Sequence, residues 1–363
     1  MLIYIFLLLI IALPALFLYS NKTLGVRPIY IWLFIAVISF FSGIRDMIGG
    51  YDIYIYASYF DSINTLGNYH NYEYGYYFLS LVINTIGGDR YLFFFIVSLI
   101  ITIGTFSLIA RYSRFSYLAV LIVFSKFFLM SFVYLRQGVS IAIAWLAIKF
   151  ALNRQFFRFS CTIFMATLFH KSALLFFIIY FLTDRTISNR NISVLFLMSL
   201  LLGLSPFISI SSSFIGEVAS STKLMKYGTN SFNVNYLYIL EAIFFVIPIF
   251  MINKNKIYTR KDILFFNICI IYICILLLTI KDGTAYRYSW VFLIGLSITV
   301  PKIISLLENK KIAYLYQAAF VLYLSLLYIR LVLLWDGGDF LPYKSIFEDF
   351  NRNGRWEFME YEY

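Results

Sequence analysis

The sequence predicts an all-α polytopic membrane protein with about 10–12 transmembrane or re-entrant helices. Two observations carry this. Of 363 residues, 62% are hydrophobic and only 13% charged, against about 25% charged in an ordinary soluble domain. Apolar runs long enough to cross a bilayer also recur along the chain, at residues 2–19, 92–110, 263–280 and 312–334. Residues 1–363 therefore read as one integral membrane domain, with an external Tyr-rich loop at 44–73 and an external tail at 335–363.

The first run has no basic start and no small-residue cleavage site, so it reads as a retained span. The net charge of +11 does not imply a nucleic-acid partner, because most basic residues lie in short inter-helix loops, where they set orientation. Cys161, Cys269 and Cys274 fall inside apolar segments without metal-ligand spacing and read as packing residues. No internal repeat and no appended soluble domain is visible.

Orientation follows from the loops rich in Lys and Arg, which face the cytoplasm. Lys254, Lys256, Arg260 and Lys261 mark one, Lys22 and Arg27 another, and Lys302, Lys310 and Lys311 a third. Counting outward from these, the N-terminus and residues 45–73, 216–235, 281–287 and the tail lie outside. The tail agrees, with seven acidic residues (Asp336, Asp339, Glu348, Asp349, Glu357, Glu360, Glu362) against Lys344, Arg352 and Arg355. Full spans at residues 74–86 and 159–182 would strand Arg111, Arg114, Lys149, Arg154 and Arg158 outside. A dip of 74–86 into the outer leaflet, with a re-entrant hairpin over 159–182 turning at His170 and Lys171, removes the conflict. Residues 74–86 are indeed short for a span, which needs about 20 residues. A single span over 159–182 is the alternative.

No phosphate-binding Gly-rich loop, zinc-type His-Glu-x-x-His or nucleophile elbow is present. The two histidines, His70 and His170, exclude a His-rich metal site. What remains are ionisable groups within or at the edge of the membrane, which are costly there and so are functional candidates. Arg45 stands where an apolar segment ends, beside Asp46, Asp52 and nine tyrosines between Tyr51 and Tyr77. An arginine there suits a phosphate and clustered tyrosines suit a sugar; an interfacial anchor is the competing reading. Arg136, with Gln137, offers a fork of donors between two apolar helices, the geometry suited to a diphosphate. Its alternatives are a headgroup contact or a carboxylate partner. His170, in Phe169-His170-Lys171-Ser172, is either a general base or a helix-to-helix hydrogen-bonding group. Arg287 and Arg330 add cations near the same leaflet, where lipid headgroups compete as partners. Asp46, Asp52, Glu73 and Glu241 are nearby carboxylates, as bases or as counterions. The segment Leu341-Pro342-Tyr343-Lys344-Ser345 reads as a lid or as an ordered turn.

Several short motifs occur in order: Arg45 with Gly49, Asp52 and Tyr54; Glu73-Tyr74-Gly75-Tyr76; Leu135-Arg136-Gln137-Gly138; Phe169-His170-Lys171-Ser172-Ala173; Tyr286-Arg287-Tyr288; and Pro342-Tyr343-Lys344-Ser345. In this the chain resembles the EpsG-like group of Wzy-type bacterial polysaccharide polymerases, over residues 42–347. One departure is a stretched glycine-aspartate step, Gly49-Gly50-Tyr51-Asp52. The resemblance implies a GT-C-like helical glycosyltransferase in the cytoplasmic (inner) membrane, acting on its periplasmic or outer face without metal or other cofactor. Donor and acceptor would be polyprenyl-diphosphate-linked oligosaccharides, joined into O-antigen or capsule-type polysaccharide among membrane lipids, with a chain-length regulator protein as a further partner.

Such chemistry needs fixed cations for the leaving diphosphate. Arg136 and Arg287 lead for that role, followed by Arg45, with Arg330 and Gln137 in support. His170 leads as base and Asp52 is the alternative. Tyr51, Tyr54, Glu73, Tyr74 and Tyr343 are the expected sugar contacts. Two other classes stay open. A flippase of the same lipid-linked glycan would bind the diphosphate without chemistry, although no paired broken segments of an inverted repeat are evident. A membrane acyltransferase would require an acyl donor.

Overall fold

The computed structural model describes residues 1–17, 28–64, 72–113, 116–206, 234–251, 259–282, 285–335 and 338–348. They are helical, and the one β-type pairing among them is an isolated antiparallel bridge between Arg45 and Ser345. Lys22, Arg27, His70, Lys254, Lys256, Asp336 and most of the loop at 216–235 and of the acidic tail fall outside the described residues. Among the described residues, five helical stretches are long and apolar enough to cross a membrane: Arg90–Tyr112, Leu135–Leu152, Arg260–Leu278, Ala285–Leu306 and Lys310–Leu334. Shorter apolar helices accompany them. Large apolar side chains such as Phe6, Trp32, Phe157, Phe164, Leu315 and Leu322 point outward, as expected of helices whose solvent is lipid.

The chain divides into two compact units, Met1–Phe177 with Glu308–Tyr363, and Ile178–Leu307. The first holds α1 (Leu2–Phe17), α2 (Pro28–Gly43), α3 (Tyr51–Asp61), α4 (Tyr74–Thr85), α5 (Arg90–Tyr112) and α6 (Ser116–Val123). A π-helical turn, Phe124–Phe128, leads into α7 (Met130–Val133), α8 (Leu135–Leu152) and α9 (Phe156–Thr167). The long C-terminal helix, Lys310–Leu334, also belongs here. Helix starts follow sequence: Asp89 caps α5 by accepting the Leu92 amide at 2.8 Å, and Asn309 caps Lys310–Leu334 through the Lys311 and Ile312 amides.

Small residues set the closest helix contacts, as is usual where lipid supplies no hydrophobic drive between helices. A Cβ on Gly104 of α5 would stand 2.9 Å from the Ala142 Cβ of α8. Ser39 of α2 and Thr102 of α5 share a hydrogen bond of 2.6 Å. Gln317 donates to the Ala15 carbonyl at 2.5 Å, tying the last long helix to α1.

After α9 the chain reverses. Residues 168–170 leave the helix and a 3₁₀ segment, Lys171–Ile178, runs back, so that Phe177 meets Phe156 and Phe159 with ring centroids 5.9 and 5.4 Å apart. The hairpin turn thus stands at residues 168–170. Segment 338–348 folds onto the end of α2: Asp46 donates its amide to the Lys344 carbonyl at 3.0 Å and Ile346 donates to Ile44 at 2.9 Å.

In the second unit α10 (Ile179–Leu182), α11 (Asn189–Leu204), α12 (Tyr236–Met251), α13 (Arg260–Leu278) and α14 (Leu293–Leu306) pack around α13. Gly295 lies against the α13 backbone, where a Cβ would meet the Cys269 amide nitrogen at 2.5 Å. Arg260 forms a two-pronged ion pair with Asp184, at 2.5 and 2.9 Å. Cys269 is buried, whereas Cys161 is exposed on α9 rather than packed.

Candidate functional site: an arginine cluster at the hairpin turn

Four pieces of chain converge in the first unit. Gly49 and Gly50 let α3 start hard against the end of α7. Both have positive φ (151° and 65°), and a Cβ on Gly49 would stand 2.6 Å from the Phe132 carbonyl oxygen. This is the stretched glycine step of the sequence, and it sets the start of α3. Asp52 and Tyr56 then share a face of α3, four residues apart.

Glu73 stands at the N-cap of α4. Two residues on, the Gly75 amide donates to the Leu168 carbonyl in the hairpin turn at 2.7 Å. Arg136 lies in the first turn of α8, just after a break at Tyr134 (φ −102°, ψ 59°) separates α7 from α8. One turn further, the Ser140 hydroxyl bonds the Ala166 and His170 carbonyls at 2.9 and 3.1 Å. The turn at 168–170 is therefore clasped between the N-termini of α4 and α8.

At the centre Arg136 pairs through Nη1 with Glu73 Oε2. Its Nε lies 3.5 Å from the Tyr56 hydroxyl, and its guanidinium carbon sits 4.6 Å from the Tyr72 ring centroid. Nη2 has no partner among the described residues. The pair is not sealed: the Arg136 and Glu73 side chains are 25% and 18% exposed. Tyr56, Tyr59, Tyr72 and Tyr76 pack around it, with Tyr72 4.4 Å from Tyr59 and 5.9 Å from Tyr56. Burial raises the pKa of Tyr56 and Tyr72, which lie outside the long spans, and the Asp52 charge adds to both. These phenols stay neutral and leave Arg136 as the cation. The positive end of the α8 dipole adds to its field.

His170 occupies the turn, half-buried. Its Nδ1 lies 2.7 Å from Ser172 Oγ and accepts the Ser172 amide at 3.2 Å. Gln137, next to Arg136, is buried.

The other expected residues differ in burial. Arg45 is 1% exposed. It donates to the Ile48 carbonyl at 3.1 Å, to Ser98 Oγ at 2.6 Å and to the Ser42 carbonyl, and its guanidinium lies 4.4 Å from the Phe132 ring centroid. Burial lowers its pKa to about 10, so it remains a cation at neutral pH. Tyr343 is buried beside it, donating to the Phe41 carbonyl at 2.7 Å. Tyr54 is buried as well, while Tyr51 and Tyr74 are exposed. Arg330 is exposed on the last long helix. Arg287 belongs to the second unit, in the 3₁₀ stretch Ala285–Phe292, where its neighbour Tyr286 stacks on Tyr238 at 4.7 Å.

Lys126 and Tyr272 are buried groups outside the expected site residues. Lys126, inside the π-helical turn, is 3% exposed; it was legible as a lone cation in an apolar run. Tyr272, 3.0 Å from the buried Glu241, carried no signal. Among the described residues no group of three or more His, Cys, Asp or Glu side chains could hold a metal ion.

Compared with known proteins, residues 28–345 match the EpsG family, a span that takes in the whole Arg136 cluster together with Arg45, Arg287, Arg330 and Tyr343. No curated protein and no solved structure matches the chain.

Proposed function

We propose that this chain, which belongs to the EpsG family of Wzy-type polysaccharide polymerases, joins polyprenyl-diphosphate-linked repeat units into an O-antigen or capsule-type polysaccharide. The observation that carries this reading is the half-open Arg136, paired with Glu73 and ringed by neutral tyrosines. A guanidinium with an unused donor, at the positive end of a helix, suits a diphosphate. In the reaction the acceptor sugar hydroxyl attacks the anomeric carbon of the donor glycan. The bond from that carbon to the lipid diphosphate breaks, and its electron pair leaves on the diphosphate. Arg136 stabilises that charge where it develops. The acceptor proton passes to a base of the same cluster, which holds Asp52, Glu73 and His170. Transfer is metal-independent, because fixed cations neutralise the leaving group.

The outer face of the cytoplasmic membrane is the favoured side. Lys149, Arg154 and Arg158 gather at the far end of α8 and the start of α9, opposite the Arg136 end. Cytoplasmic placement of that basic end directs Arg136 outward. The hairpin supports this by returning the chain to the basic side within 159–182. Tyr51 and Tyr74, both exposed, are the sugar contacts. Arg330 is a further diphosphate or headgroup contact.

The test uses purified protein, the lipid-linked oligosaccharide pool of the cells that make it, and EDTA, without nucleotide sugar or ion gradient. A product ladder rising in repeat-unit steps is expected. A folded protein that gives no ladder from that pool but moves the lipid across vesicles would make it a flippase. A requirement for an acyl donor would make it an acyltransferase.

A further inference from the structure

We propose that Glu73 is the proton acceptor of the transfer and that His170 serves the site as a hydrogen-bond donor through Nε2. The inference rests on the polymerase reading above and assigns roles within its site.

The first ground is the direction of the hydrogen bonds at His170. A backbone amide can only donate, so the Ser172 N–H at 3.2 Å requires an unprotonated Nδ1. The Ser172 hydroxyl, 2.7 Å from the same nitrogen, crowds that lone pair further. In the neutral ring the proton then resides on Nε2. The basic lone pair faces Ser172, and the remaining ring nitrogen offers a hydrogen. A ring in this tautomer donates through Nε2 and does not take a proton from an acceptor hydroxyl.

The second ground is the position of Glu73. Its carboxylate pairs with Arg136, and both side chains are partly exposed. Arg136 also has Nη2 without a partner among the described residues. A diphosphate can dock on Nη2 first and then take the guanidinium, because it carries more negative charge than a single carboxylate. Glu73 is thereby released beside the bound donor, where the acceptor hydroxyl needs a base. The proton moves from that hydroxyl to the Glu73 carboxylate as the new glycosidic bond forms, and later to water. The departing diphosphate is met by Arg136 and by the Nε2–H of His170. Donor binding thus arms the base.

The test compares variants in the ladder assay, with binding of the same lipid-linked pool as a second readout. Glu73→Gln removes the base and is expected to lower turnover by about 100-fold or more, with donor binding equal to wild type or tighter. His170→Gln keeps an N–H donor near the Nε2 position and is expected to lose about tenfold or less, while His170→Ala loses more. Ser172→Ala is expected to weaken turnover and Ser172→Thr to restore it. His170→Gln as inactive as Glu73→Gln would overturn the assignment. So would a Glu73→Gln protein within about tenfold of wild type, one that no longer binds donor, or an Asp52→Asn variant that alone abolishes turnover. Absence of a ladder from wild-type protein would instead sink the polymerase reading before any variant is compared.

Discussion

The Gly75 amide donates to the Leu168 carbonyl across a gap that admits no side chain: a Cβ on Gly75 would stand 2.8 Å from that oxygen. This contact fixes the start of α4, and with it Glu73, against the hairpin turn that carries His170. Gly75→Ala is therefore expected to pry the two apart. Stability should fall by about 1–3 kcal/mol and turnover with it, read by thermal melting in detergent and by product ladder. Normal turnover with a normal melting point would separate the turn from the site.

Arg136→Lys keeps the charge but loses the planar fork that engages Glu73 and Tyr56 together. The loss of one charge-assisted hydrogen bond, about 1.5–3 kcal/mol, corresponds to a fall of about 10–100-fold in turnover. Arg136→Ala should fall further. Lysine working as well as arginine would reduce the role of Arg136 to a point charge.

Arg45 is expected to act through stability. Its donors satisfy the Ile48 and Ser42 carbonyls and Ser98, inside the seat on which segment 338–348 docks. Arg45→Ala should cost about 2–4 kcal/mol and release the tail to protease. Tyr343→Phe, which loses the bond to Phe41, should cost about 1 kcal/mol. Lost turnover at an unchanged melting point would return Arg45 to the substrate.

The sequence and the fold agree where the signal is local and diverge where burial decides. Low charge and long apolar runs made the helical membrane class legible, and the positive-inside conflict pointed to a reversal within 159–182, where the chain does turn back. Arg136 stood out because a cation between two apolar helices has few bland explanations. Arg45 and Tyr343 looked equally open, since nothing local reveals that they bury one another's surroundings from 298 residues apart in the chain. The same blindness applies to the tyrosines. Their spacing cannot distinguish Tyr51 and Tyr74, which are exposed, from Tyr56 and Tyr59, which pack around the arginine. The Glu73–Arg136 pair spans separate helices and is visible only once they fold together.

An alkaline limit should come from the tyrosine cluster. Burial pushes Tyr59 up to about 12, so the folded state holds its proton after the unfolded chain has lost it. Its contribution to stability is complete below about pH 10 and is lost as pH rises from there through about 12. The Tyr59 hydroxyl has no hydrogen-bond partner among the described residues. Tyr59→Phe should accordingly cost little at pH 7 and make melting less sensitive to pH above 10.

The most direct measurement is a structure of the protein with a polyprenyl-diphosphate-linked oligosaccharide bound. The expected result places the diphosphate within hydrogen-bonding distance of Arg136, with the Glu73 carboxylate detached and turned toward the acceptor side. A diphosphate bound elsewhere, with the Arg136–Glu73 pair intact, would contradict it.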